Sequence, residues 1–238
     1  MKAFVLAAAL TLVTGPAFAQ DVCRQALALG LDVSGSVDAR EYRLQVDGVA
    51  AALGSTAVRA ALLERVETPV ELLVYEWRGP NNQQLLLPWT RIISPQPLDA
   101  AIEKLNAIER RADATPGTAL GVAMMRGSQY LAQRSHCWRQ TLDISGDGKS
   151  NLGPRPRSTK PKLATTGITI NALVIGADDP AIGDIRQGEI GELSAYFNAE
   201  VILGADAFVE VALGFEGYAE AMERKLLREL DGLVLTMR

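Results

Sequence analysis

The chain has 238 residues, with 24 Lys and Arg against 28 Asp and Glu and a formal net charge of −4 at pH 7. Its basic residues are scattered, which leaves no footprint for nucleic acid or an anionic membrane surface and argues against both as partners. The length suits one α/β domain and is short for two, and no linker, repeat or single-sign charge block divides it.

The opening "MKAFVLAAALTLVTGPAFAQ" has one basic residue, Lys2, an apolar run from Ala3 to Val13, and Ala17 and Ala19 flanking Phe18. That layout is a cleavable export signal cut after Ala19. The apolar run is short for a bilayer span. Residues 1–19 are therefore expected to be a signal peptide and residues 20–238 a single domain, soluble after cleavage, without stable membrane insertion, and periplasmic or secreted.

"LALGLDVS" reads as a buried strand ending at Asp32. Tyr42, Val46, Val49 and Leu53 then recur at helical spacing. "VELLVYEW" and "QLLLPWTRI" read as strands joined through a short turn at Asn81 and Asn82, an antiparallel hairpin. Leu98, Ile102, Leu105 and Ile108 mark a second helix, and Leu120, Met124, Gly127 and Leu131 a third. Next come a strand ending in "DISGDG", a polar Pro-rich loop, the strand "GITINALVIG", a helix around Glu189 to Asn198, a short strand at "FVEVA" and a last helix from Phe215 to Leu230. Apolar strands alternating with helices predict a doubly wound α/β fold. Its sheet is mostly parallel, of order 3-2-1-4-5-6, with one antiparallel edge strand and helices on both faces.

The two cysteines, Cys23 and Cys137, each precede one of the strands expected to be central. In parallel neighbours the two sulfurs meet at the same end of the sheet, and an exported chain is in an oxidising compartment. A Cys23–Cys137 disulfide is expected.

Ligands of open α/β sheets collect outside the carboxyl ends of the strands, where the strand order reverses. The first and fourth strands flank that point, and oxygen donors cluster there: Asp32, Ser34 and Ser36 in "DVSGS", Thr118 in "PGT", and Asp147 in "GDG". In isolation each suits helix capping, Ser36 or Asp38 for the first helix and Thr118 for the third. Together they resemble the metal-ion-dependent adhesion site of the von Willebrand factor type A (VWA) domain family, in an uncharacterised exported bacterial subfamily. That resemblance implies one Mg²⁺ (or Mn²⁺ or Ca²⁺). Ser34 and Ser36 would bind it directly, Thr118 directly or through water, and Asp32 and Asp147 mainly through water. It further implies a non-enzymatic adhesion-type module whose protein partner completes the metal's coordination with an acidic side chain. Thr115, in "ATPGT", is an alternate for Thr118, while Asp143 and Asp178 are alternates or outer supports. Asp143 lies within a strand, where a buried charge needs a partner, either the metal loops or an Arg.

"DISGDGKS" approaches a phosphate-binding loop, but Asp143 occupies the position of its first Gly, and Pro154 and Pro156 oppose a helix directly after Lys149 and Ser150. His136 is the one histidine and precedes the fourth strand, at the opposite end from the serines, so a Ser-His-Asp triad is not expected. A metal-dependent hydrolase or phosphoesterase on the same edge, and a structural envelope protein without a ligand, are the alternative readings. Trp77, Trp89 and Trp138 read as core or strand-end packing.

Overall fold

A computed structural model describes residues 22–111, 117–176 and 183–231. The expected signal segment, Thr115 and Asp178 lie outside the described residues.

Six strands form one sheet: β1 (Cys23–Asp32), β2 (Val70–Trp77), β3 (Gln83–Arg91), β4 (Cys137–Gly146), β5 (Thr169–Ile175) and β6 (Val209–Ala212). Their order is β3-β2-β1-β4-β5-β6, parallel except for the β2–β3 pair, as the sequence predicts. The β2–β3 hairpin closes through Asn82 N–H to Gly79 O and Arg78 N–H to Asn82 O, both 3.2 Å.

Alternation along the strands sends side chains to two cores. Leu27, Leu29 and Leu31 of β1 pack with Val70, Leu72 and Val74 under α1 (Ala39–Gly54), α2 (Thr56–Leu63), α3 (Pro95–Asn106) and α7 (Tyr218–Asp231). Ala26 and Ala28 pack with Leu142, Ile144 and Ala172 under α4 (Leu120–Leu131), α5 (Pro156–Ala164), α6 (Gly183–Tyr196) and a π-helical turn, Phe197–Val201.

Several elements differ from the sequence reading. The Pro-rich loop contains α5, which begins on Pro156 because proline's missing N–H costs nothing in a first helical turn. The short α2 follows α1 after a break at Ser55, whose side chain accepts from Val58 N–H. Trp77 is fully buried, but Trp138 is 53% exposed and is not core.

The expected disulfide is present. Cys23 and Cys137 face each other in register at the amino ends of β1 and β4, with Cα atoms 4.4 Å apart. It joins residues 114 positions apart, so in the chain-entropy view it removes much freedom from the unfolded state, about 4–5 kcal/mol.

Strand β4 is apolar on one face only. Toward α7 it presents Thr141, Asp143 and Ser145, each no more than 1% exposed. Asp143 pairs with Lys225 of α7 at 2.8 Å, not with an Arg, and Lys225 pairs with Glu229 at 2.7 Å. Asn171 Nδ2 donates to Glu229 at 2.7 Å, and the Ser145 and Tyr218 hydroxyls share a bond of 2.8 Å. Burial pushes Asp143 up to about 7; Lys225 opposes this and Glu229 adds to it. Lys225 is held charged by Asp143 and Glu229 against its burial.

Two predictions follow from this core. The native Asp143 keeps a proton that the unfolded chain, titrating near the ordinary value of 3.8, has already released. Its contribution therefore falls as pH rises from about 4 to about 7 and is flat above that. Asp143→Asn should remove about 2–3 kcal/mol of the stability difference between pH 5 and pH 8, read from urea unfolding at both pH values. The Cys23→Ala, Cys137→Ala double variant should lose about 4–5 kcal/mol in the same assay; a loss below about 1 kcal/mol would contradict the staple.

Candidate metal centre

Where β1 ends, the chain turns on Asp32. Its carboxylate Oδ1 accepts from Ser34 N–H at 2.9 Å, and its carbonyl accepts from Gln45 Nε2 of α1 at 2.8 Å. Val33 N–H donates to Trp77 O and Val37 N–H to Ser34 O, and both valine side chains are buried. The Ser34 and Ser36 hydroxyls lie 3.3 Å apart. Helix α1 is capped by Asp38 in a capping box with Glu41, so Ser36 is not its cap.

Asp147 follows β4 at the same edge, where the Ser36 hydroxyl favours its ionised form against its burial. The two acids face a shared difficulty. Asp32 Oδ2 and Asp147 Oδ1 are buried and have no hydrogen-bond partner among the described residues. Burial, and then the neighbouring Asp147, raise Asp32 well above the carboxylate range; burial raises Asp147 as well. An edge that places two such oxygens beside two hydroxyls calls for a positive charge, because an unpartnered buried anion is costly.

Thr118 is buried on the third loop. Its N–H donates to Asn151 Oδ1 at 2.7 Å, and its carbonyl accepts from Asn151 N–H at 3.0 Å, Leu152 N–H at 3.3 Å and Ser150 Oγ at 3.3 Å. Ala119 N–H donates to Arg78 O at 2.8 Å. The threonine loop is thus tied both to the aspartate loop and to the end of β2. Thr118 does not cap α4: the N-cap is Ala119, without a side-chain bond, so its hydroxyl is not used by the helix.

The close fit depends on two glycines. Gly117 has φ +117°, and a Cβ there would meet Leu152 Cδ1 at 2.1 Å; at Gly121 it would meet the Pro154 carbonyl oxygen at 2.0 Å. Asn151 is the residue that the sequence reading missed. Its only signal was an amide three residues beyond "GDG", and the work it does depends on a loop more than thirty residues away.

The structure does not bring Asp143 to these loops; it lies in the core against Lys225. Lys149 pairs with Glu192 at the rim. At the other end of the sheet Cys23, Glu71, His136 and Cys137 approach within 4.8 Å of one another. The sulfurs are joined in the disulfide and offer no thiolate, while Glu71 is engaged by Arg134 and Arg91, so this group is a staple rather than a ligand set.

The family profile described as "Protein of unknown function (DUF1194)" matches residues 22–234. The chain belongs to this family. No curated protein matches it. Among solved structures, it is similar to mussel proximal thread matrix protein 1 from the byssus, in a form with a zinc-occupied MIDAS motif (12% identity, TM-score 0.59, 89% of this chain and 47% of that one). It is similar to the pilus adhesin SpaC from Lactobacillus rhamnosus GG in an open conformation (14% identity, TM-score 0.56, 91% of this chain and 31% of that one). An aerotolerance-related membrane protein from Bacteroides fragilis NCTC 9343 is similar along most of both chains (13% identity, TM-score 0.52, 85% and 98%). The chain spans about half of the mussel protein and about a third of the adhesin. These neighbours are VWA-type domains, and the DUF1194 chain shares their fold.

Because α4 lies directly on the Pro154 backbone, Gly121→Ala should shift the aspartate loop while leaving every oxygen donor in place. We expect a loss of roughly 1–3 kcal/mol in urea unfolding. An unchanged value would show that the loop accommodates the methyl group.

Proposed function

We propose that this protein is an exported, non-enzymatic, cation-dependent protein-binding module. Asp32, Ser34, Ser36, Thr118 and Asp147 would hold one divalent ion at the carboxyl edge of the sheet. The observation that carries this reading is the pair of buried, unpartnered carboxylate oxygens of Asp32 and Asp147 beside the Ser34 and Ser36 hydroxyls. The donor set is all oxygen, which favours Mg²⁺, Mn²⁺ or Ca²⁺ over softer metals. The adhesin and the zinc-occupied MIDAS form among the structural neighbours support the same reading.

The bound ion would supply an electrophilic centre for an acidic side chain of a partner protein. The chain's own residues act in three ways. Ser34 N–H orients the Asp32 carboxylate, the Ser36 hydroxyl lies 3.3 Å from that of Ser34, and Asn151 fixes the backbone of Thr118. Both aspartates are committed to this arrangement, and His136 lies at the far end of the sheet beside Glu71. Residues 1–19 would be removed on export, leaving residues 20–238 as a single domain in the periplasm or outside the cell. The disulfide accords with that compartment.

Calorimetric titration of the oxidised protein with Mg²⁺ and Mn²⁺ tests the reading. Saturable binding is expected in the parent and at least a tenfold loss in an Asp32→Ala, Ser34→Ala variant whose circular dichroism is unchanged. At a hundred times the dissociation constant the ion should stabilise the parent by about 2.7 kcal/mol. A parent that binds neither ion would sink the proposal.

A further inference from the structure

A cleft of about 970 Å³ opens at the amino ends of the strands, the opposite end of the sheet from the metal loops. Its floor is the lower part of the polar face of the sheet, where Gln25 Nε2 donates to Thr141 Oγ1 at 2.9 Å. One wall is the last turn of α7, with Glu229 and Arg228, and another is the loop leading to Phe208.

Three features distinguish this cleft from an ordinary surface fold. First, Gln25 and Glu229 are 0% and 3% exposed, yet Gln25 Oε1 and Glu229 Oε2 are buried and have no hydrogen-bond partner among the described residues. Both line the cleft, and both are acceptors, so the floor asks for a donor. Second, the donors are at the mouth. Arg228 lies over the Phe208 ring at 3.8 Å, which leaves its N–H edge available, and half-buried Arg139 projects from β4 in register with Gln25. Arg224 is excluded from that role because Glu210 and Glu220 already hold it. Third, the lining is balanced: three arginines (Arg139, Arg224, Arg228) face three acids (Asp206, Glu229, Asp231). A purely anionic ligand would meet the unpartnered acceptors, and a purely cationic one would meet the arginines. The arrangement suits a molecule that donates at one end and accepts at the other.

We propose that this cleft is a second binding site, for a small zwitterion of the α-amino acid class. Its ammonium group meets Glu229 Oε2 and Gln25 Oε1, and its carboxylate meets Arg139 and Arg228. The volume accommodates a free amino acid or a dipeptide. The site is independent of the metal reading: none of its residues belongs to the metal loops.

The test is calorimetry on the purified protein, disulfide intact, with EDTA present so that the metal edge does not contribute. The probes are a panel of free L-amino acids, a matching panel of dipeptides, and the methyl esters and N-acetyl derivatives of whichever binds. Saturable binding of an unblocked probe is expected, lost on blocking either end. It should weaken about tenfold in Arg139→Ala and in Arg228→Ala. The relative heats of the two panels separate a free amino acid from a peptide. No heat from any unblocked probe at millimolar concentration would overturn the proposal. So would equal binding of the blocked forms, or full affinity in both arginine variants with parental melting temperatures.

Discussion

The pairing of β1 with β4 is the constraint on which the rest of the molecule depends. These two strands run parallel and in register from Cys23 opposite Cys137 to Gly30 opposite Ile144. At one end the register brings two sulfurs into bonding distance; at the other it delivers Asp32 and Asp147 to the same edge. A shift of one residue would turn Asp143 from Lys225 into the apolar core on the other face and separate the two edge acids. The covalent staple and the acid pair are thus consequences of a single alignment.

Between these ends the α7 face of β4 is polar throughout. Asp143, Lys225 and Glu229 form a buried cluster that is worth little as net stability, since the cost of desolvating these groups offsets most of what their attraction returns. Its effect is on placement. Lys225 reaches Asp143, and Glu229 reaches Asn171, only when α7 lies at one position along the sheet, and Tyr218 meets Ser145 at that same position. An apolar interface would tolerate sliding by a turn; this one does not. The cluster also leaves Glu229 with one unpartnered oxygen, so the polar column extends down into the basal cleft.

Much of the fold was legible because the relevant signals are local or repetitive. "VELLVYEW" coincides with β2, and the alternation of strands and helices led to the sheet order that is found. The elements that were missed fail for identifiable reasons. Pro156 reads as a breaker, but at a first helical position it starts α5. Trp138 has the composition of a core residue, and only the three-dimensional course of β4 places its ring in solvent. Asp143 announced its need for a partner, whereas the identity of that partner, 82 positions later in a helix with many charged residues, was beyond a one-dimensional reading. Within the candidate site, the position of Asp32 and Asp147 at the carboxyl ends of β1 and β4 could be read directly. The ties that hold the loops together, Asn151 on Thr118 and Gln45 on Asp32, are long-range and carry no sequence signature.

The distribution of satisfied and unsatisfied groups separates support from chemistry. At the base, Glu71 is surrounded by Arg134, Arg91 and His136, and the cysteines have paired with each other, so the corner around the disulfide is complete by itself, unlike the neighbouring cleft. At the top, the backbone is firmly bonded while two carboxylate oxygens are left without partners. Firmly bonded backbone with unmet side-chain acceptors is costly, because a buried oxygen without a donor loses its hydration, and it persists because the alignment of β1 and β4 holds both acids at one edge. A loop free to relax would turn Asp147 toward water. The ties from Asn151 to Thr118 and from Ser34 N–H to Asp32 restrict that relaxation, and they leave the unmet acceptors in place at the edge.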